Sequence, residues 1–342
     1  MRVNEKAATI YDIAKLAGVN PSTLHRTNPM TTLLRWSLPL LLATQLLSAA
    51  AVADTRQIED AFGNPVTVPS APQRVITLSE LDLDAALALG ITPVGTINGR
   101  GQASPPRYLD SQAVAGIKVV GDIDNPNLET LLELEPDLIL TGPVKPEQLA
   151  ILNEIAPTVI TFAWAKPWQE SLQRTANALN QSAAAEALLA RYKARATEAR
   201  ERLKAHQGET FSIVRWNPKG PSYMFKDAFA SSVIADVGLV RPSYQQDPGH
   251  THSMALSLES LQLLDADWLV IGTLSTSGEA VEALQQAEQT PAFKQLSAIQ
   301  GKRFGAVDGS LWTSLGGPQA ALQVIADIEQ LLGKADAQPL KN

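Results

Sequence analysis

The chain has 342 residues, 45% of them hydrophobic and 18% charged, with a formal net charge of −7 and no cysteine. Such a length suffices for two compact lobes, each with its own core, and the composition excludes a disordered or polytopic membrane chain. The first 53 residues hold five basic and two acidic side chains, so the remainder carries about −10, which argues against nonspecific nucleic-acid binding; without cysteine there is no disulfide, thiolate metal site, catalytic thiol or lipid-attachment residue.

In chain order, residues 8–26, ATIYDIAKLAGVNPSTLHR, come first. They resemble the opening of the lac-repressor family's helix-turn-helix, with Gly18 at the turn and Pro21-Ser22-Thr23 opening the recognition helix. The pattern stops before the third helix and hinge that such a domain needs in order to bury its apolar faces on DNA. Residues 1–29 therefore read as an extraneous fragment, and a DNA-binding regulator is the alternative from another functional class. From Met30 the sequence MTTLLRWSLPLLLATQLLSAAAVADTRQ has Arg35, an apolar core around Leu38–Leu47 and the small-x-small run Ala51-Val52-Ala53. This predicts a signal peptide over 30–53, cleaved near Ala53-Asp54 to release a periplasmic protein. A membrane anchor over Trp36–Ala53 is the competing reading, and Pro39, Gln45 and the alanine-rich end speak against it.

A duplicated unit gives the architecture. Leu128-Glu129-Thr130-Leu131 aligns with Leu258-Glu259-Ser260-Leu261, and the same offset places Leu134 on Leu264, Asp137 on Asp267 and Gly142 on Gly272. Each copy predicts a short leucine-spaced helix, an acidic turn and a buried strand, Leu138–Thr141 in one and Trp268–Ile271 in the other. A weaker echo lies upstream of each. Arg74–Ser79 reads as a strand followed by a helix over Leu83–Leu89 and Gly90, and Phe211–Trp216 as a strand followed by a helix over Ala228–Val237 and Gly238, both glycines suiting left-handed helix caps. Alternating strands and helices predict an α/β protein with two mostly parallel sheets. Between them, Ser182–Ala205 lacks proline and glycine and pairs Glu198 with Arg202 at helical spacing, predicting one long helix of about 36 Å as a stiff crossing. The expected division is 54–165 for the first lobe, 166–207 for the linker with its helix, and 208–342 for the second lobe.

The ordered set DAFGNPVTVPSAPQRVITLS, ALALGITPVG, PNLETLLELEPDLIL, FKDAFASSVIADVGLVRP, LSLESLQLLDADWLVIG and TPAFKQLSAIQGKRFGAVDGSLW resembles the substrate-binding proteins of iron-siderophore and cobalamin ABC importers, the helical-backbone class. The resemblance covers Asp54 to Leu332. It implies two Rossmann-like lobes joined by one backbone helix, a ferric siderophore of hydroxamate or citrate type held between them, no cofactor, no catalysis, and a monomer that meets an inner-membrane permease dimer. It also implies docking through one glutamate per lobe, Glu129 and Glu259. The chain departs from the hydroxamate-binding pattern at Asp122-Ile123-Asp124, where some members carry an arginine.

A ferric chelate with anionic rims needs aromatic walls and cations, and arginine's planar fork suits carboxylates. Candidate contacts lie where strands end, the usual site in parallel sheets. These are Arg215 and Trp216, then Tyr223 and Lys226, Arg241 after VGLV, His250 and His252 in QQDPGHTHS, and Trp312, which resembles a family position for aromatic contact. From the first lobe come Ser79, Glu80, Arg100, Trp164 and Trp168. Cobalamin and haem are the competing ligands in the same fold; several inward arginines would favour an anionic ferric chelate, whereas an aromatic, nearly uncharged cleft would favour cobalamin. Direct metal capture by His250, His252 and Asp247 is disfavoured, because only three histidines follow Asp54. No nucleophile elbow, HExxH or phosphate-binding loop points to an enzyme.

Overall fold

The computed structural model describes residues 54–336. The expected helix-turn-helix fragment and signal peptide lie outside them. Among the described residues no helix is long and apolar enough to cross a membrane.

A hairpin, β1 (Thr55–Glu59) with β2 (Pro65–Pro69), precedes a five-stranded parallel sheet. That sheet is built from β3 (Val75–Thr77), β4 (Gly95–Thr96), β5 (Lys118–Val119), β6 (Leu138–Thr141) and β7 (Thr158–Ile160) in the order β5-β4-β3-β6-β7. Its connections carry helices α1 (Glu80–Ala88), α2 (Ser111–Val114), α3 (Leu128–Glu133) and α4 (Pro146–Ile155). Two helices, α5 (Trp168–Ala178) and α6 (Ser182–Arg202), then lead to the second sheet. There β8 (Phe211–Asn217), β10 (Trp268–Gly272) and β11 (Phe304–Ala306) run parallel, and β9 (Gly220–Tyr223) adds an antiparallel edge to β8. Around it lie α7 (Phe229–Asp236), α8 (Glu279–Glu288), α9 (Pro291–Lys294), α10 (Ser297–Gln300), α11 (Gly309–Trp312) and α12 (Pro318–Asp336).

The two repeat copies differ in their helices. Leu128–Glu133 is α-helical and capped by Asn127, whose side-chain oxygen accepts from Thr130 N at 3.0 Å. Leu258–Leu264 is wound more tightly as a 3₁₀ turn broken at Ser260, and Ser257 makes no such side-chain cap. An uncapped start leaves the tighter turn to satisfy the first N–H groups. Gly90 and Gly238 have φ of 80° and 91°, the left-handed conformation expected after each helix.

The crossing helix α6 ends at Arg202, three residues before its expected end, and spans about 31 Å. Its last carbonyls explain the stop. The Gln207 side chain donates to the carbonyls of Arg200 and Leu203, each at 3.3 Å, and Lys204–His206 tightens into a 3₁₀ turn. Arg202 pairs with Glu198 as expected, and Arg195 pairs with Glu329 of α12, tying the crossing helix to the last one.

Side chains alternate across every central strand, so each sheet has two packed faces. Leu138 and Leu140 of β6, Phe211 and Ile213 of β8, and Trp268 and Val270 of β10 share one core with α1, α5, α6, α7 and α12. The intervening Ile139 joins a first-sheet core, while Val214, Leu269 and Ile271 join a second-sheet core. The two sheets thus meet over one continuous apolar layer, and an open cavity lies above it, at the carboxyl ends of the strands.

Candidate ligand-binding cavity

The cavity has a volume of about 460 Å³. One side is the segment after β7, from Phe162 to Trp168, together with Arg100 from the loop after β4. The other side is Arg215 at the end of β8, the segment Met224–Phe229 with Ser232 of α7, the pair Thr251-His252, and the loop Thr313–Gly316. Strand ends in a parallel sheet leave room between loops on both faces, which is why the opening forms here.

Its charge is one-sided. Arg100, Lys166, Arg215 and Lys226 line it with His252, and Asp227 is the single acidic side chain in the wall among the described residues. Asp227 is itself engaged, accepting from Gly249 N at 2.8 Å. Arg215 is buried, donates through Nη1 to Thr313 O at 3.3 Å, and has no partner for Nε among the described residues. Burial, and next the charge of Arg100, push its guanidinium below the usual arginine range. An anion bound beside the two guanidinium groups would relieve both costs. The Arg100 guanidinium lies 5.8 Å from the ring centre of Trp164, which is 48% exposed and meets Phe162 edge-on at 5.4 Å. His252 Nδ1 donates to Ser253 O at 2.9 Å, since a carbonyl can only accept, so Nε2 is the nitrogen left for a ligand.

Of the expected contacts, the structure brings together Arg100, Trp164, Trp168, Arg215, Lys226 and His252. Others fall elsewhere. Trp216 follows Arg215 on a strand and so points to the opposite face, where it is buried beside Val214 and Phe293. Trp312 is buried in the central core, stacked on Phe211 with centroids 6.0 Å apart, and its N–H donates to Asp327 at 2.9 Å. Tyr223 sits on the antiparallel edge strand, packed edge-on against Phe225 and Tyr244. Arg241 is buried under the second sheet. Its guanidinium donates to the carbonyls of Phe211 and Met224 and to Gln245 Oε1 at 2.6 Å, and burial lowers its pKa to about 9. His250 is exposed on the outer loop, 6.4 Å from the Phe225 ring.

Ser79 and Glu80 are not in the wall but beneath it. Ser79 caps α1, its Oγ accepting from Asp82 N at 3.0 Å. Glu80 is 1% exposed, accepts from Arg100 N at 2.6 Å and from the Ser314 hydroxyl, and desolvation holds its carboxyl above the usual range. Sequence reasoning missed Phe162, Lys166, Phe229 and the Thr313–Gly316 loop. A lysine two residues before a helix is a common surface feature, and nothing in its spacing separates Lys166 from a solvated charge.

The expected docking residues, Glu129 and Glu259, are both exposed, each in the first turn after its repeat's entry residue. Among the described residues no three His, Asp or Glu side chains group to hold a metal ion.

The model for the family described as periplasmic binding protein matches residues 75–310. The chain belongs to this family. It is 31% identical over 291 residues to the probable siderophore-binding lipoprotein YfiY of Bacillus subtilis (strain 168), covering 82% of this chain and 89% of that protein. It is 30% identical over 282 residues to the achromobactin-binding periplasmic protein of Dickeya dadantii (strain 3937), covering 80% and 92%. Among solved structures, Staphylococcus aureus SirA complexed with staphyloferrin B superposes with a TM-score of 0.73 at 25% identity, over 82% of this chain and 99% of that one. The periplasmic binding protein fold of two sheets and a backbone helix is thus the fold expected from the resemblance.

Proposed function

We propose that the mature chain is the substrate-binding component of an ABC importer and captures an anionic ferric siderophore in the cavity, without turnover. The supporting observation is the charge of the wall, four Lys or Arg side chains against one engaged aspartate. Cobalamin would fit an aromatic, weakly charged cavity better, and two arginines held near each other in a poorly solvated site favour a ligand with several anionic oxygens. The relatives point the same way, being named for siderophore binding and for achromobactin binding.

In this reading the leader 30–53 is removed near Ala53-Asp54, the product is a periplasmic monomer, and residues 54–165 and 208–342 are its lobes. Glu129 and Glu259 then meet basic pockets on a two-fold permease dimer, since pseudo-equivalent acids on paired lobes suit such a partner. The crossing helix resists bending, so little closure accompanies binding.

The test is titration of the chain from Asp54 onward with ferric citrate, an uncharged ferric trihydroxamate, haem and cobalamin. Trp164 is the reporter, because it is the half-exposed indole of the wall. Quenching by ferric citrate that disappears in Trp164→Phe supports the reading; quenching by cobalamin or haem with none by either ferric chelate sinks it.

A further inference from the structure

Two of the cavity's arginines come from opposite sides of the junction between the sheets, and one buried carboxylate connects them. Glu80 Oε1 accepts from the backbone N of Arg100 at 2.6 Å, and Oε2 accepts from the hydroxyl of Ser314, 234 residues away in sequence. Thr313, next to Ser314, supplies the carbonyl that holds the Arg215 guanidinium at 3.3 Å. The base of Glu80 is itself fixed. In the same turn of α1, Asp82 is buried, receives the Thr175 hydroxyl of α5 at 2.9 Å and receives the Ser79 hydroxyl at 2.5 Å. A carboxylate has a rigid separation between its two oxygens, so the backbone of residue 100 and the loop at 313–314 are held at a set distance.

We propose that Glu80 is a positioning residue that sets the spacing between Arg100 and Arg215, and thereby selects ligands by the separation of their anionic groups. This rests on the cavity being the ligand site. A carboxylate suits the task better than an apolar residue of similar volume. An apolar residue would leave the Arg100 N–H and Ser314 hydroxyl unpaired in a buried place, and neither wall would then have a reason to stay. Glutamine keeps the geometry, because its oxygen can accept from Arg100 N while its amide donates to the Ser314 oxygen.

The experiment compares the parent with Glu80→Ala, Glu80→Gln and Ser314→Ala by amide hydrogen exchange of the free chain. It adds affinities for ferric citrate and for a ferric tricarboxylate chelate with a longer arm. In Glu80→Ala, exchange rises at least tenfold in segments 98–102 and 313–316, while 317–320, held separately by Asp84, stays protected. Its affinity ratio between the two chelates collapses toward one. Glu80→Gln restores both, and Ser314→Ala loosens 313–316 even if the alanine variant at 80 does not fold. Parent-like exchange in both segments, or a chelate ratio unchanged in every variant that binds, overturns the proposal. If the parent binds cobalamin or haem but no ferric chelate, the siderophore reading fails instead, and exchange in the two segments still decides whether Glu80 holds the walls.

Discussion

The carboxylate of Asp84 accepts from the backbone N of Ala320 at 2.9 Å, joining the first helix of one lobe to the first turn of the helix that ends the other. The same carboxylate accepts from Gly317 N at 3.2 Å and Gln319 N at 2.9 Å, and from the Tyr108 hydroxyl at 3.2 Å. It serves as an N-terminal cap supplied from a distant part of the chain, offering negative charge to the positive end of a 19-residue helix. Gly317 is fixed by this contact, since a Cβ there would lie 2.8 Å from the Asp84 carboxyl.

Asp84 predicts a pH dependence of stability. Burial raises its pKa from 3.8 to about 6, against the opposing pull of its hydrogen bonds. The folded state therefore holds the proton more tightly than the unfolded state. The associated stabilisation is complete below pH 4 and is lost as pH rises through 6, on the order of 3 kcal/mol. Glu80 and Asp82 shift in the same direction by desolvation and add to the slope. Urea midpoints measured from pH 4 to 7 should fall with rising pH in the parent, and Asp84→Asn should flatten that fall while lowering the midpoint at pH 4. Parallel curves for the two proteins would refute the assignment.

The cavity arginines should carry affinity and the core tryptophans should not. Arg215→Ala or Arg100→Ala removes charge-assisted contacts of about 1.5–3 kcal/mol, roughly a ten- to hundredfold loss for an anionic chelate. Trp312→Phe keeps the stack on Phe211 but loses the bond to Asp327, so it should reduce melting temperature with affinity within about twofold. Calorimetric titration with ferric citrate separates the two outcomes.

Arg241 is expected to matter for folding rather than for binding. Three acceptors converge on its buried guanidinium, and Arg241→Ala takes that donor from all three, leaving Gln245 Oε1 only the Ser212 hydroxyl at 3.3 Å. Each buried acceptor left without a donor costs about 1–3 kcal/mol in unfolding free energy. Parent-like stability together with a large loss of affinity would place it at the ligand after all.

Reversing Glu129 and Glu259 to lysine tests the docking proposal. Both are exposed and outside the cavity wall, so chelate affinity in solution should be unchanged. Uptake of labelled iron by cells should fall more than tenfold in the double variant. Weakened binding by the purified protein would instead mean that these residues act on the cavity.

Local chemistry determined a great deal. The leucine-spaced repeats at 128–142 and 258–272, the glycine caps at 90 and 238, and the unbroken helix-forming run from Ser182 each specify an element without help from elsewhere. Arg215 at a strand end and Arg100 in a glycine-flanked loop were legible as candidates because strand ends meet ligands in this architecture. Only the tertiary structure decided between neighbours such as Arg215 and Trp216. A strand sends adjacent side chains to opposite faces, and which face looks into the cavity depends on where the helices of the other lobe pack. The same holds for Asp84, Glu80 and Arg241. A charged residue inside an apolar stretch reads alike as surface or buried, and its role depends on hydrogen-bond partners that only the fold supplies, more than 200 residues away for Asp84 and Glu80 and on neighbouring strands and turns for Arg241.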